Sequence, residues 1–171
     1  PASTPLVITP HYHGTSDNDL RDRLLSLYAP VGRWALRRAS AVIAVSEWER
    51  RQLRQDFGVE ARVIPNGLDV DRFRTATLEP RERPYLLTVG RLVEYKGVQH
   101  AVRALTDPQL AEFDLVVAGS GPYRDQLVAI ATESGVADRV TFAGYVDDDR
   151  PTALAAGASV FTPLSTVEAY A

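Results

Sequence analysis

The sequence predicts an α/β fold made of two parallel-sheet blocks, and three observations carry that reading. Short apolar runs of strand length alternate with helical stretches along the whole 171-residue chain. Most of the runs stop at proline or glycine, the punctuation of strand-to-helix turns. The alternation breaks once, over residues 66–83, and then restarts. Strands that alternate with helices form right-handed βαβ units, so the strands of each block lie parallel.

Each element has a local reason. Leu6-Val7-Ile8-Thr9 is an apolar run closed by Pro10, a buried strand. Residues 20–39 read as a helix that Pro30 and Gly32 break or kink. Ala41–Val45 is a second buried strand. Ser46-Glu47-Trp48-Glu49 matches a capping box, with serine at the N-cap and glutamate three residues on, and Gly58 stops the helix that follows. Arg62-Val63-Ile64 is a third strand, closed by Pro65-Asn66-Gly67. Residues 66–83, with turn chemistry at Asn66-Gly67 and a charged patch between Pro80 and Pro84, read as an interdomain linker. The second block, residues 84–171, holds strands at 85–89, 113–118, 140–143 and 159–162. Helices are expected near 97–105, from Pro122 to about Ser134, and near 150–156. Residues 1–65 then form the first block. It shows about three strands, and the second block stops just after a strand, so both blocks read as incomplete.

Composition narrows the function. Hydrophobic residues make up 45% of the chain and charged residues 24%, an ordinary globular balance. There is no cysteine, which excludes a disulfide scaffold, a thiolate zinc site and a cysteine nucleophile, and fits a reducing cytosol. A net charge of −3 argues against nucleic acid as a partner. No apolar run approaches the roughly 18 residues that span a membrane, and no signal-peptide pattern is visible. Of the 19 basic residues only Lys96 is a lysine; a lysine spared at one place suggests a demand specific to that position.

Candidate chemistry gathers at strand ends. In Gly90-Arg91-Leu92-Val93-Glu94-Tyr95-Lys96-Gly97 a buried strand stops at Gly90. Arg91 therefore stands at the carboxyl edge of the sheet, where open α/β sheets bind ligands, and Lys96 lies just before or within the first turn of the next helix. A guanidinium fork beside an ammonium suits a polyphosphate; two solvated loop cations would have the same spacing. Gly119-Ser120-Gly121-Pro122 permits close backbone approach to a ligand, or is simply a tight turn, and matches neither a GxGxxG fingerprint nor a P-loop. Glu168 follows the last strand, where a carboxylate could accept sugar hydroxyls or just face solvent. His11 follows the first strand and could contact a substrate or move a proton, or be a turn residue. His11 and His13 lack a carboxylate at metal-ligand spacing. Asp147-Asp148-Asp149 fits a helix cap better than a metal site. Arg33, Arg37, Arg38, Arg50, Arg51 and Arg54 could favour an anionic membrane surface, although Glu47 and Glu49 among them make an ordinary solvated face.

Seven of these strings, in order, resemble the group 1 transferases of glycosyltransferase family 4. They are Thr9-Pro10-His11, Val45-Ser46-Glu47, Val63 to Asp69, Gly90-Arg91-Leu92 with Lys96-Gly97, Gly119 to Pro122, Phe142 to Val146, and Pro163 to Glu168. The resemblance implies a GT-B fold: two Rossmann-like domains across a cleft, the nucleotide-sugar donor mostly on the second. It implies that Arg91 and Lys96 bind the diphosphate and that Glu168, the first glutamate of a paired-glutamate motif, contacts the donor sugar. His11 would lie near the transferring sugar, and Tyr145 and Val146 would belong to the segment whose backbone meets the base. Gly90, Gly119 and Gly121 would line the donor site. The implied reaction retains anomeric configuration, needs no metal and takes a nucleoside-diphosphate sugar as co-substrate. Ala171 stands where the family carries glycine, and the second glutamate would lie beyond it, so a chain of this extent is not expected to turn over by itself. A lipid-linked acceptor would imply peripheral membrane association. A GT-B epimerase would want more carboxylates and histidines near the sugar. A phosphorylase would need a pyridoxal lysine, and the single lysine is already given to phosphate. A non-catalytic nucleotide- or sugar-binding module remains the alternative from another class.

Overall fold

The structure is a computed structural model and describes residues 4–12, 19–146 and 149–166, residues 19–28 by their backbone alone. The described residues fall into two compact units, the first reaching Gly67 and the second running from Leu68 to Thr166.

The first unit contains β1 (Val7–Ile8), α1 (Asp19–Arg38), β2 (Ala41–Ala44), α2 (Glu47–Phe57) and β3 (Arg62–Val63). The strands lie parallel in the order β1-β2-β3. Its core is Leu36 from α1, Val42 and Ala44 from β2, Leu53 from α2, and Val59 and Ala61 from the approach to β3. The expected break in the first helix does not occur: α1 runs through Pro30. Proline costs one hydrogen bond in a helix interior, but Leu36 beyond it is buried in the core, and that burial keeps the second half of the helix in place. Ser46 caps α2 as read, its Oγ accepting from the Glu49 N–H at 3.1 Å, and Gly58 closes the helix at φ 64°. The Glu49 carboxylate turns back to the entry of the helix and accepts from the Val45 N–H at 2.7 Å.

The second unit contains α3 (Val70–Arg74), β4 (Tyr85–Val89), α4 (Val98–Ala104), β5 (Asp114–Ala118), α5 (Arg124–Glu133), β6 (Val140–Gly144), α6 (Arg150–Gly157) and β7 (Val160–Phe161). Short 3-10 turns precede α4, β5 and β6. All four strands are parallel, in the order β6-β5-β4-β7. Both faces of the sheet are covered, so its strands read as continuous apolar runs rather than alternating ones. Leu86, Leu115 and Val117 pack in one cluster with Val98 and Val102 of α4 and Leu127 of α5. Tyr85, Leu87, Val116 and Ala118 pack in another with Leu154 of α6.

Three local expectations are corrected here. The stretch read as linker, 66–83, carries α3, capped by Asp69, which accepts from the Arg72 N–H at 3.3 Å. Arg72 pairs with Asp149, and Arg150 pairs with Glu79 at 2.7 Å, so the stretch is tied to the start of α6. Asp149 stands at the N-cap of α6, yet its side chain makes no cap hydrogen bond. The Arg72 guanidinium offers it two charge-assisted donors instead. Pro122 lies before α5, which begins at Arg124. Asp147 and Asp148 lie outside the described residues.

Candidate functional site

Strand order fixes where a ligand can enter. The chain builds β4, β5 and β6 outward in one direction, then returns to lay β7 on the other side of β4. The carboxyl edge between β4 and β7 is therefore the topological switch point, the crevice where open α/β sheets bind ligands. The loop after β4 carries Arg91 and Lys96, so the order of the strands brings both cations to this edge.

Backbone packing holds these loops together. Leu92, 2% exposed, plugs the core from within the cationic loop. Its N–H donates to Ser120 O at 2.9 Å, and its carbonyl accepts from the Tyr123 N–H at 3.0 Å. Gly119 sits at φ 145°, and a Cβ there would stand 1.8 Å from the Gly90 carbonyl oxygen. A Cβ on Gly121 would stand 2.3 Å from the Leu92 carbonyl oxygen. These two glycines are needed because one loop rests directly on the backbone of the next. On the other side the Thr166 N–H donates to Tyr95 O at 2.9 Å, which ties the chain after β7 to the turn before α4.

Tyr95 organises the two cations. Arg91 donates from Nη2 to the Tyr95 hydroxyl at 2.9 Å, and the Lys96 ammonium lies 5.5 Å from the Tyr95 ring centroid. Lys96 closes the 3-10 turn Glu94–Lys96 just before α4, and it is half-buried, whereas Arg91 is exposed. After β6, Gly144 turns at φ 71° and leaves Tyr145 78% exposed. The Val146 side chain packs instead on the cluster of Leu87 and Val116. Sequence reading missed Tyr95, Leu92 and Thr166 as builders of this site. The one available signal was that Leu92 is an apolar residue in a polar loop.

In the first unit, His11 is exposed at the carboxyl end of β1 with φ 50°, the left-handed region that costs a non-glycine residue about 1–3 kcal/mol. Tyr12 is anchored by α2. Its N–H donates to Glu49 Oε1 at 2.5 Å, its hydroxyl donates to Asp56 Oδ2 at 2.8 Å, and its ring meets Phe57 edge to face at 5.0 Å. The contact of Glu49 with Tyr12, the residue after the histidine, was missed, since 37 residues separate the two. Glu168 and His13 lie outside the described residues. Among the described residues no group of three or more His, Asp or Glu could hold a metal ion, and no helix is long and apolar enough to cross a membrane.

The parallel strand order places the sheet among the doubly wound folds, which take ligands at the switch point. The chain matches the family description "Glycosyl transferases group 1" over residues 69–171 and "Glycosyltransferase Family 4" over residues 1–72. It belongs to the group 1 glycosyltransferases, and its fold is GT-B. The 2-deoxystreptamine glucosyltransferase of Streptomyces kanamyceticus is 34% identical over 72% of this chain and 36% of its own length. The GDP-mannose-dependent alpha-(1-6)-phosphatidylinositol monomannoside mannosyltransferase of Mycobacterium tuberculosis is 38% identical over 77% of this chain and 39% of its own. The structure of Anabaena HepE in complex with UDP superposes with a TM-score of 0.71 at 25% identity, over 95% of this chain and 47% of that one. The chain spans less than half the length of these relatives.

Proposed function

We propose that the protein is a glycosyltransferase that moves a hexose from a nucleoside-diphosphate sugar to an acceptor with retention of configuration. The observation that carries this reading is the pair Arg91 and Lys96, set around Tyr95 in the loop that follows β4 at the switch point. As the bond between the sugar and the diphosphate breaks, the electron pair leaves with the phosphate oxygen and positive charge develops on the sugar ring. Fixed cations beside the departing oxygen stabilise that change without reorganising, the role a metal fills in other sites. Removing one such group costs roughly 3 kcal/mol by analogy with single electrostatic donors. Gly90, whose missing Cβ faces open space, lets the donor approach backbone, Gly119 and Gly121 hold the loops of the donor site against each other, and the segment at Tyr145 and Val146 meets the base. In this reading His11 and Glu168 act on the donor sugar, the roles that the family resemblance implies for them. No metal or other cofactor is required in this scheme. The relatives' names support the donor class, one being GDP-mannose-dependent and one holding UDP. Exposed Trp34, with Arg38 stacked on it at 4.8 Å and Arg33 and Arg37 beside it, supports peripheral contact with an anionic membrane if the acceptor is lipid-linked.

The test is calorimetric titration with UDP, GDP and ADP. One diphosphate is expected to bind, with affinity falling about 100-fold in Lys96→Ala. Equal binding by the variant, or no binding of any diphosphate by folded protein, would overturn the assignment.

A further inference from the structure

Glu49 is the one fully buried charged side chain among the described residues. A carboxylate withdrawn from water persists only with compensating donors. Its two oxygens are committed to two different places. Oε2 accepts from the Val45 N–H at 2.7 Å, a local contact at the entry to α2. Oε1 accepts from the Tyr12 N–H at 2.5 Å, across 37 residues, in the chain that leaves β1. The helix start does not need that second reach, because Ser46 Oγ already caps it.

The residue just before Tyr12 is His11, the one non-glycine residue with positive φ among the described residues. A side chain in that conformation stays there only when its surroundings over-determine it. The over-determination is visible: the carboxylate on the Tyr12 amide, Asp56 on its hydroxyl and Phe57 on its ring all come from α2. We propose that Glu49 is a positioning residue, which holds the Tyr12 amide and thereby fixes His11 in the left-handed conformation that presents its imidazole to the transferring sugar. The proposal rests on the reading of His11 given above. α2 acts as a template, and the glutamate converts its rigidity into the aim of one side chain. Glutamine has nearly the same volume but brings one oxygen and an NH2 group, so it cannot accept from both amides. One amide of the pair, at Val45 or Tyr12, then faces a donor.

The experiment is a double-mutant cycle in the full-length enzyme between Glu49→Gln and His11→Ala, read as hydrolysis of whichever of UDP-glucose and GDP-mannose it cleaves. A misplacement of about 1 Å can cost about 100-fold, so Glu49→Gln is expected to lower kcat about 10- to 100-fold. KM for the donor should stay within about threefold, because the donor's diphosphate is held by other residues. In the His11→Ala background the same change should add less than about twofold. Amide exchange at Tyr12 should accelerate in Glu49→Gln. Leu36→Ala, a truncation in the same core, should lower Tm and leave kcat in place. If Glu49→Gln does not fold, Tyr12→Phe carries the cycle, since it keeps the ring and loses the Asp56 bond. Its several-fold loss of kcat should vanish without His11. Full multiplicativity with His11→Ala, at wild-type Tyr12 exchange, would overturn the positioning role alone. A wild-type kcat in His11→Ala would overturn the role of the histidine and the positioning with it.

Discussion

Gly97 shows how tightly the cation loop is specified at a single residue. Its φ is 72°, and a Cβ built there would stand 2.2 Å from the Leu164 carbonyl oxygen. The obstacle is backbone, so no side-chain rotation relieves it. Gly97→Ala therefore meets left-handed strain and a displaced loop together. We expect a loss of at least about 1–3 kcal/mol in urea unfolding. Because Lys96 is the neighbouring residue, diphosphate affinity in the titration should fall as well. Retained affinity at wild-type stability would mean that the chain after β7 moves away freely. This glycine was legible in the sequence only as a helix start. Nothing in the local string announces Leu164, which is brought to it by the strand order and by Thr166 bonding Tyr95.

Among the elements, β4 bears the most, and its first residue is a buried tyrosine whose titration is shifted. Tyr85 is buried, and its hydroxyl donates to Leu154 O at 2.7 Å. Burial pushes its pKa above the ordinary 10.0, partly offset by the Arg81 guanidinium. The folded state thus keeps a proton that the unfolded state releases near pH 10. The unfolded state binds fewer protons in that window, so unfolding free energy falls as pH rises above about 10. Below pH 10 both states hold the proton, and this contribution is complete. In Tyr85→Phe the difference in pH dependence should vanish, while stability at pH 7 drops by about 1 kcal/mol from the unpaired Leu154 carbonyl. Denaturant titrations of both proteins at pH 8 and pH 11 decide it; parallel slopes would assign the alkaline loss to other groups. The strand itself was plain in the sequence as Tyr85–Val89, because both of its faces are covered and it reads as one apolar run. α3 was not legible. It is a five-residue helix without buried side chains, and its stability comes from Asp69 and from pairing with α6, neither of which leaves a periodic signal.

For the molecule as a whole, the sequence revealed strand ends better than it revealed neighbours. Parallel strands put every candidate at a carboxyl edge, so Arg91, Gly119, Tyr145 and His11 could be placed by counting residues past an apolar run. What ties those positions together crosses the chain: Leu92 to Ser120 and Tyr123, Tyr95 to Thr166, Glu49 to Tyr12. Contacts between distant backbone atoms have no sequence pattern, and the glycines that permit them look like ordinary turns. The same interlocking predicts how binding should register. A diphosphate held by Arg91 and Lys96 links a loop that already rests on the backbone of residues 119–121 and 164–166, so the whole carboxyl edge of this sheet should tighten at once. Amide exchange with and without the diphosphate that titrates should show slowing over residues 90–97 and 119–123 together. At 100 times Kd the stabilisation should reach about 2.7 kcal/mol, seen as a rise in Tm that Lys96→Ala, with affinity about 100-fold lower, cuts to the equivalent of about 0.4 kcal/mol. Slowing confined to residues 90–97 would show that the loops respond separately and that the glycine contacts serve packing alone. Slowing centred on β2 and α2 would move the diphosphate to the other unit and remove Arg91 and Lys96 from the site.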